Sequence, residues 1–179
     1  MKRILWLIFL LVMVSVLLIT CKSKRGGKMV AVVETSMGNF EFTLFNEDAP
    51  NTVKNFVDLA EKKFYDGLTF HRVVEGFVIQ GGCPQGDGTG GPGHTIAAEF
   101  NDHKHVLGTV AMARGRDINS AGSQFYVCLD TISHLDKQYT VFGKVTSGIE
   151  IVQKIGSVPV DMGHRPVEPV HILKITIDR

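Results

Sequence analysis

The first part of the sequence after residue 28 alternates apolar and polar positions with a period of two. Residues 29–35 are rich in β-branched side chains, and residues 39–45 place Phe40, Phe42 and Leu44 on one face. A strand points successive side chains to opposite faces, so this period predicts two strands, each with one buried side. The short glycine-containing link between them predicts a β-hairpin.

The period then lengthens to that of a helix. Four apolar residues fall at positions i, i+3, i+4 and i+7, namely Val53, Phe56, Val57 and Ala60. This spacing places them on one face of an α-helix, and Pro50 is suited to its opening turn. The same spacing predicts a second, shorter helix over residues 148–155.

The remaining sequence consists of short apolar runs separated by glycine and polar clusters. The runs span residues 69–74, 77–80, 95–100, 108–113, 123–129 and 139–145, and an alternating run spans residues 171–177. Short strands at regular spacing, without helices between most of them, indicate an all-β sandwich or barrel. We therefore predict a mainly β, closed or nearly closed structure with two helices.

Residues 1–21 differ in composition from the rest and predict a targeting segment. Lys2 and Arg3 precede an apolar run over residues 4–19. The run is long for the apolar part of a signal peptide and short for a membrane-spanning helix, for which about 20 residues are typical. Residues 22–28 are polar and predict a flexible tether, followed by one domain over residues 29–179.

Two alternatives for this leader stay open. Leu18-Ile19-Thr20-Cys21 resembles the bacterial lipobox, in which the cysteine is lipidated, although Thr20 departs from the small residue expected there. A lipidated Cys21 would hold the domain at the membrane, outside the cytoplasm, in the cell envelope. The alternative is an uncleaved membrane anchor, whose orientation is undetermined because positive charge lies on both sides of the run.

Charge and cysteine content narrow the functional class. The whole chain of 179 residues carries a formal charge of +1, but residues 28–179 hold 14 basic and 18 acidic residues, a formal charge of −4. A mildly acidic domain without a basic stripe argues against nucleic acid as a partner. We interpret Cys83 and Cys128 as free thiols, because nothing in the sequence indicates that they meet.

An arginine set among apolar residues is the strongest chemical signal. Three motifs occur close together, Phe70-His71-Arg72, Gly76-Phe77 and Gln80-Gly81-Gly82. The planar fork of donors on Arg72, placed beside apolar neighbours and the Gln80 amide, suggests a site rather than an ordinary core strand. Two further motifs follow, Ala111-Met112-Ala113-Arg114 and Gly122-Ser123-Gln124-Phe125-Tyr126.

Together these motifs resemble those of the cyclophilins, the β-barrel peptidyl-prolyl cis-trans isomerases, and the resemblance covers residues 29–178. It implies an eight-stranded antiparallel closed barrel capped by two α-helices. A barrel of this size is filled by its own side chains, so the site is expected in a groove on the outer face. The implied partners are proline-containing peptides and flexible or unfolded protein segments, bound by a monomer.

The resemblance also implies roles for individual residues. Arg72 is the implied catalytic residue. The implied apolar walls of a proline slot are Phe77, Val78, Tyr126 and Leu135, and the implied contacts to the peptide backbone are Gln80, Ala113, Arg114 and Gln124. His134 and Tyr139 complete the substrate-binding set; they stand where eukaryotic members often have tryptophan and histidine, so we expect weak inhibition by cyclosporin. Rotation about an X-Pro bond needs no metal or cofactor, since no proton or electron is transferred.

A second functional class also fits these residues, a proline-binding, chaperone-like module in which catalysis is incidental. Arg72 and Gln80 favour the enzyme, because docking a proline ring requires only the apolar slot. Residues 86–91 fit a glycine-rich dinucleotide motif, but Pro92 follows instead of a helix, so we interpret them as a surface loop. Residues 102–105, with two histidines, are interpreted as a solvated loop rather than as a zinc site.

Overall fold

The structure, a computed structural model, describes residues 28–179 as one eight-stranded antiparallel sheet; the predicted leader and residues 22–27 of the predicted tether lie outside the described residues. The strands are β1 (Val30–Thr35), β2 (Gly38–Leu44), β3 (Arg72–Val74), β4 (Val78–Gly81), β5 (Thr109–Met112), β6 (Phe125–Cys128), β7 (Val141–Ser147) and β8 (Ile172–Asp178). Among residues 28–179, no helix is both long and apolar enough to cross a membrane.

The sheet curls until its two edges meet. Its strand order is β3-β4-β6-β5-β7-β2-β1-β8, which leaves β3 and β8 at the edges. The segment before β3 then pairs with the start of β8: the Phe70 N–H donates to the Val170 carbonyl at 3.0 Å, and the Ile172 N–H donates to the Leu68 carbonyl at 2.7 Å. These bonds close the barrel and leave few unpaired strand edges.

Two helices, α1 (Pro50–Glu61) and α2 (Ile149–Gly156), pack their apolar faces against the barrel core. A carboxylate from a distant loop caps the start of α1. Glu99 accepts the backbone N–H of Asn51 at 3.0 Å and that of Thr52 at 2.8 Å. A negative charge is favourable at a helix N-terminus, so this contact fixes the long excursion between β4 and β5 against α1.

A cluster of aromatic rings fills the barrel interior around Phe56 of α1. Ring centroids lie 5.2 to 5.7 Å from Phe56 in four neighbours, Phe42, Tyr65, Phe125 and Phe142. All five side chains are fully buried. Tilted and edge-to-face pairs at these distances are favourable beyond the area they bury. The interior is therefore a packed core, so the functional site is expected on the outer face of the barrel.

Strand register decides which side chains face outward. Arg72 pairs with Gln80, Gln80 with Tyr126, and Tyr126 with Ala111, across β3, β4, β6 and β5. Directly opposed residues point to the same face, so these four form one row on the outer surface. Their strand neighbours Val73, Ile79, Val127 and Val110 belong to the interior core.

The structure confirms most predicted elements. The hairpin is β1 and β2, the two helices are α1 and α2, and Cys83 and Cys128 are free thiols. The predicted strand over residues 95–100 is wrong: only Ile96 forms an isolated bridge, to Ala121. Its backbone bonds to side chains instead, because the Ala98 N–H donates to Asn119 Oδ1 and the Glu99 N–H donates to Thr140 Oγ1, both at 2.9 Å.

Replacing Phe56 with alanine tests the aromatic core. We expect the free energy of unfolding to fall by about 3–5 kcal/mol, because the cavity would lie among four rings that cannot all collapse into it. Urea denaturation measures the change. Leu173→Ala is the control, since Leu173 is 53% exposed and its loss should change stability by less than about 0.5 kcal/mol. Similar losses in the two variants would contradict this description of the core.

Candidate active site

A groove of about 210 Å³ lies on the outer face, over the row of side chains set by the strand register. Its lining combines two guanidinium groups and one amide with apolar and tyrosine side chains. The lining residues are Arg72, Phe77, Val78, Gln80, Ala113, Arg114, Tyr126, Leu135 and Tyr139. The structure thus brings together nine of the eleven side chains implied by the sequence.

Arg72 lies at one side of this groove with most of its donors free. Its Nη1 donates one long hydrogen bond, 3.3 Å, to Gln80 Oε1, and its guanidinium carbon lies 5.7 Å from the centre of the Phe77 ring. Arg72 forms no ion pair within the described part of the chain, with Glu75 or with any other acidic residue. Four of its five N–H groups therefore remain for a ligand.

A chain of hydrogen bonds fixes Gln80, the partner of Arg72. Gln80 Nε2 donates to Gln124 Oε1 at 3.0 Å, and Gln124 Nε2 donates to the carbonyls of Gly88 and Gly90, both at 2.8 Å. The amide groups of Gln80 and Gln124 are oriented correctly for these hydrogen bonds, since each amide nitrogen faces an oxygen. Gln80 therefore presents its oxygen to Arg72.

Cys83 supports the glycine-rich loop that ends this chain. Its sulfur accepts the backbone N–H groups of Gly88 and Gly90, each at 3.3 Å. Burial raises the pKa of the thiol, but the hydrogen bonds from the Gly90, Asp87, Gly88 and Gln85 backbone outweigh it and leave the pKa below its ordinary value. Cys83 thus organises the loop whose carbonyls hold Gln124, while residues 86–91 form the predicted surface loop without a helix.

The second glycine after Gln80, Gly82, is required for steric reasons. A Cβ on Gly82 would lie 2.4 Å from the Ser123 carbonyl oxygen, and Gly82 has a φ of +84° that side chains with a Cβ rarely adopt. Ser123 Oγ in turn donates to the Gly82 carbonyl at 2.7 Å. The close approach joins the end of β4 to the segment just before β6, which contains Gln124 and leads to Tyr126 in β6.

A buried histidine, His105, fixes Tyr126, which lies at the floor of the groove. His105 Nε2 lies 3.0 Å from the Tyr126 hydroxyl, and His105 Nδ1 lies 3.2 Å from Asp136 Oδ1. A carboxylate only accepts hydrogen bonds, so Nδ1 carries the proton and Nε2 accepts the Tyr126 hydroxyl proton. Burial lowers the pKa of His105 and raises that of Tyr126, which keeps both groups neutral near pH 7.

Asp136 anchors this network and also ends a wall of the groove. A hydrogen bond from the His105 backbone N–H, 2.9 Å long, lowers the pKa of Asp136 to about 2. Asp136 follows directly on the single-turn 3₁₀ helix Ser133–Leu135, which carries Leu135 into the groove and which the sequence did not predict. The same carboxylate therefore positions the floor at Tyr126 and the wall at Leu135.

The interpretation of residues 102–105 as a solvated loop is wrong at His105, which is fully buried. The hydroxyl of Tyr126 was the available signal, because a buried tyrosine hydroxyl usually finds a polar partner. Two further histidines have separate partners: His94 Nε2 lies 2.7 Å from Asn55 Oδ1, and His103 Nε2 lies 2.9 Å from Asp48 Oδ2.

Arg114 stabilises the part of the groove that is formed by Tyr139. Its Nε and Nη2 donate to the Gln138 carbonyl at 3.2 and 3.0 Å, and its guanidinium carbon lies 4.7 Å from the centre of the Tyr139 ring. Arg114 thereby clamps the segment bearing Tyr139 against β5. This guanidinium is engaged with the protein itself, in contrast to that of Arg72.

Two of the implied residues lie beside the groove rather than in its lining. The His134 ring stacks on Phe77, with the centroids 6.1 Å apart and the planes 4° from parallel. Gln124 lines an adjoining cavity of about 400 Å³ that shares Gln80, Ala113 and Arg114 with the groove. A bound chain leaving the groove therefore has a second open space next to it.

Removing the Tyr126 hydroxyl tests the buried network. Tyr126→Phe would leave His105 Nε2 without its partner, and we expect the free energy of unfolding to fall by about 1–3 kcal/mol. Tyr139→Phe is the matched control, because the Tyr139 hydroxyl forms no hydrogen bond to any described residue; a loss below about 0.5 kcal/mol is expected there. Urea denaturation of both variants measures the difference, and equal stabilities would refute the proposed role of His105.

Comparisons with known proteins agree with this geometry. The family model described as "Cyclophilin type peptidyl-prolyl cis-trans isomerase/CLD" matches residues 30–177. A peptidyl-prolyl cis-trans isomerase of Helicobacter pylori is 52% identical over 130 residues, which are 70% of this chain and 78% of the relative. Peptidyl-prolyl cis-trans isomerase B of Bacillus subtilis is 53% identical over 120 residues, 65% of this chain and 82% of the relative.

Solved structures give the same result for the fold. The crystal structure of a cyclophilin type peptidyl-prolyl cis-trans isomerase of Cryptosporidium parvum superposes with a TM-score of 0.81 at 31% identity, over 85% of this chain and 98% of that one. A second structure of that protein, in the presence of the dipeptide Ala-Pro, gives a TM-score of 0.80. With its curled eight-stranded sheet, its two helices and its matched sequence, this chain belongs to the cyclophilin family and is a peptidyl-prolyl cis-trans isomerase.

Proposed function

We propose that this isomerase acts on X-Pro bonds in flexible or unfolded protein segments, and so assists protein folding, with Arg72 as its catalytic residue. The observation that carries the proposal is the position of Arg72: a guanidinium with four free N–H groups at the side of an apolar groove. The structure of the Cryptosporidium parvum relative in the presence of the dipeptide Ala-Pro supports a proline-containing ligand.

The chemistry required is the stabilisation of a twisted amide. Rotation about an X-Pro bond faces a barrier near 20 kcal/mol because the nitrogen lone pair is shared with the carbonyl. As the bond twists, the nitrogen becomes pyramidal and can accept a hydrogen bond. Arg72 donates to this nitrogen or to the adjacent carbonyl, and each 1.4 kcal/mol or so gained only in the twisted state speeds rotation about tenfold.

Catalysis also requires that the proline ring of the substrate is held in place, and the groove does this. Val78 and Tyr126 are both buried and form its floor, with the half-buried Phe77 and Leu135 beside them. Gln80 restrains Arg72 through the hydrogen bond from Arg72 Nη1 to Gln80 Oε1. When the ring is held, rotation moves the acyl side of the bond past the guanidinium. Donors positioned in advance for the twisted state lower the barrier without reorganising during the reaction.

Replacing Arg72 with alanine tests this assignment. We expect kcat/KM for an Ala-Pro tetrapeptide to fall about 100-fold or more, because the donor to the twisted amide is lost, while the unfolding midpoint stays unchanged. A protease-coupled assay measures the rate. Arg179→Ala is the control for loss of one arginine, since Arg179 pairs with Glu61 on the surface at 2.6 Å and lines no part of the groove.

The same assay separates the enzyme from a proline-binding module. Turnover of Arg72→Ala close to that of the unsubstituted protein would overturn the catalytic role of Arg72. Binding of the peptide by the unsubstituted protein without faster exchange would instead favour the module. The two outcomes are distinguishable because the first concerns one side chain and the second concerns the whole groove.

We further propose that the protein works at the membrane of the cell envelope as a monomer. The support is the sequence of the leader: two basic residues, an apolar run over residues 4–19, and a lipobox-like Cys21. A lipid on Cys21 would place the domain outside the cytoplasm on a short polar tether. Its substrates there would be exported chains with unpacked X-Pro segments.

The mass of the mature protein from a membrane fraction tests the lipid anchor. We expect a chain that begins at Cys21 and carries two or three acyl groups. Cys21→Ser is the matched variant, and it should retain the leader or lose membrane association. A mature chain that still begins at Met1, without added lipid, would contradict lipidation and support the uncleaved anchor.

A further inference from the structure

A separate cavity of about 200 Å³ adjoins the proline groove. It shares Arg72 and Gln80 with the groove and adds charged side chains from two loops. Its other lining residues are His71, Asp87, Gly88, Asp161, Gly163 and Arg165. We call this cavity the Arg165 pocket.

His71 forms a polar surface of the Arg165 pocket with unused hydrogen-bonding capacity. Its side chain is buried, with 6% of the residue exposed, and neither ring nitrogen has a hydrogen-bond partner in the described chain. A Cβ on Gly88 would lie 3.5 Å from His71 Nε2, so this nitrogen faces the space that the glycine leaves open. Buried polar atoms are rarely left unpaired, which indicates a polar occupant.

Charges of both signs act on His71. Burial lowers the pKa of His71, and the charges of Arg165 and Arg72 add to this, while the Thr69 backbone and the charge of Asp87 raise it. The ring is therefore neutral near pH 7, with one nitrogen that donates and one that accepts. The donors that meet the occupant are the guanidinium groups of Arg165 and Arg72.

A rigid turn presents Arg165 to the pocket. Asp161 Oδ1 accepts the backbone N–H groups of Gly163 at 2.8 Å and Arg165 at 2.9 Å, and the His164 carbonyl accepts the Val73 N–H of β3 at 2.8 Å. The Arg165 guanidinium itself forms neither a hydrogen bond nor an ion pair with any residue from 28 to 179. Its donors are held beside β3 but remain unused.

The two carboxylates of the pocket are already engaged. Asp161 closes the turn just described, and Asp87 Oδ1 accepts the backbone N–H and the hydroxyl of Thr89 at 2.8 and 2.7 Å. Each therefore stabilises its own loop. The donors left for a ligand are the guanidinium of Arg165 and the free N–H groups of Arg72, which together match a carboxylate.

We propose that the Arg165 pocket binds the acidic side chain of a residue adjacent to the substrate proline. The proposal rests on isomerisation at Arg72, since the pocket and the proline groove share that residue. A peptide that places its proline in the groove brings a neighbouring side chain to the pocket. Residues 28–179 carry a formal charge of −4, so the overall field disfavours acidic peptides and a preference for them must arise locally.

Peptide series separate this recognition from isomerisation itself. Peptides of the form acetyl-Ala-Ala-Pro-Xaa-Ala-amide and acetyl-Ala-Xaa-Pro-Ala-Ala-amide, with Glu, Gln, Ala or Lys at Xaa, are measured by NMR exchange spectroscopy with the full chain. We expect kcat/KM for Glu to exceed that for Gln about tenfold in one of the two series. Measuring both series identifies the side of the proline that meets Arg165.

Variants then locate the preference. Arg165→Gln should reduce the ratio of Glu to Gln to about one, and Arg165→Glu should reverse it in favour of Lys. Lys62→Gln is the charge-matched control, because Lys62 lies exposed at the end of α1 and lines neither cavity; its ratio should match that of the unsubstituted protein. Ratios within one variant cancel any change in its general activity.

The possible failures are distinct. Absence of exchange with the Ala peptides would overturn the isomerase activity on which the proposal rests. Normal exchange of the Ala peptides without a Glu preference in either series would overturn the Arg165 pocket alone. A Glu preference that persists in Arg165→Gln would also overturn it, because the carboxylate would then be recognised elsewhere.

Discussion

Antiparallel register is the constraint on which this site depends. Because directly opposed residues share a face, the pairing of Arg72 with Gln80 and of Gln80 with Tyr126 places a donor, its amide support and the floor of the groove in one outward row. The residues between them turn inward and bury their apolar side chains around Phe56. A shift of register by one residue would bury Arg72 and expose the core, so the site and the core are specified by the same pairing.

Polar groups around the groove are held by bonds that reach well beyond it. On one side, Gln80 is fixed by Gln124, and the loop that fixes Gln124 is organised by the sulfur of Cys83. On the other side, Tyr126 is fixed by His105, which in turn is fixed by Asp136. Arg72 is the exception, with a single long hydrogen bond of 3.3 Å. N–H donors that have no partner within the protein are available to a substrate. The contrast between Arg72 and its fixed neighbours therefore indicates a functional role for Arg72.

Much of this arrangement could be predicted from the sequence, and the failures have physical causes. Period-two runs predicted β1 and β2, helical spacing predicted α1 and α2, and the motifs around Arg72 and Gln124 predicted the lining of the groove. The apolar run at residues 95–100 misled because periodicity does not show that side chains of Asn119 and Thr140 take its backbone bonds. His105 looked solvated because it follows Asp102, His103 and Lys104, while its partner Tyr126 is distant in sequence. The roles of the lining residues in catalysis remain predictions.

We propose that a planar array of N–H donors on Arg72, and not its charge alone, stabilises the twisted amide. Arg72→Lys keeps the positive charge and removes the fork that Gln80 orients. The most direct measurement is the cis-trans exchange rate of an Ala-Pro peptide, followed by NMR with equal amounts of the unsubstituted protein and this variant. We expect exchange to be about tenfold slower or more with lysine at this position. Exchange at the unsubstituted rate would contradict it.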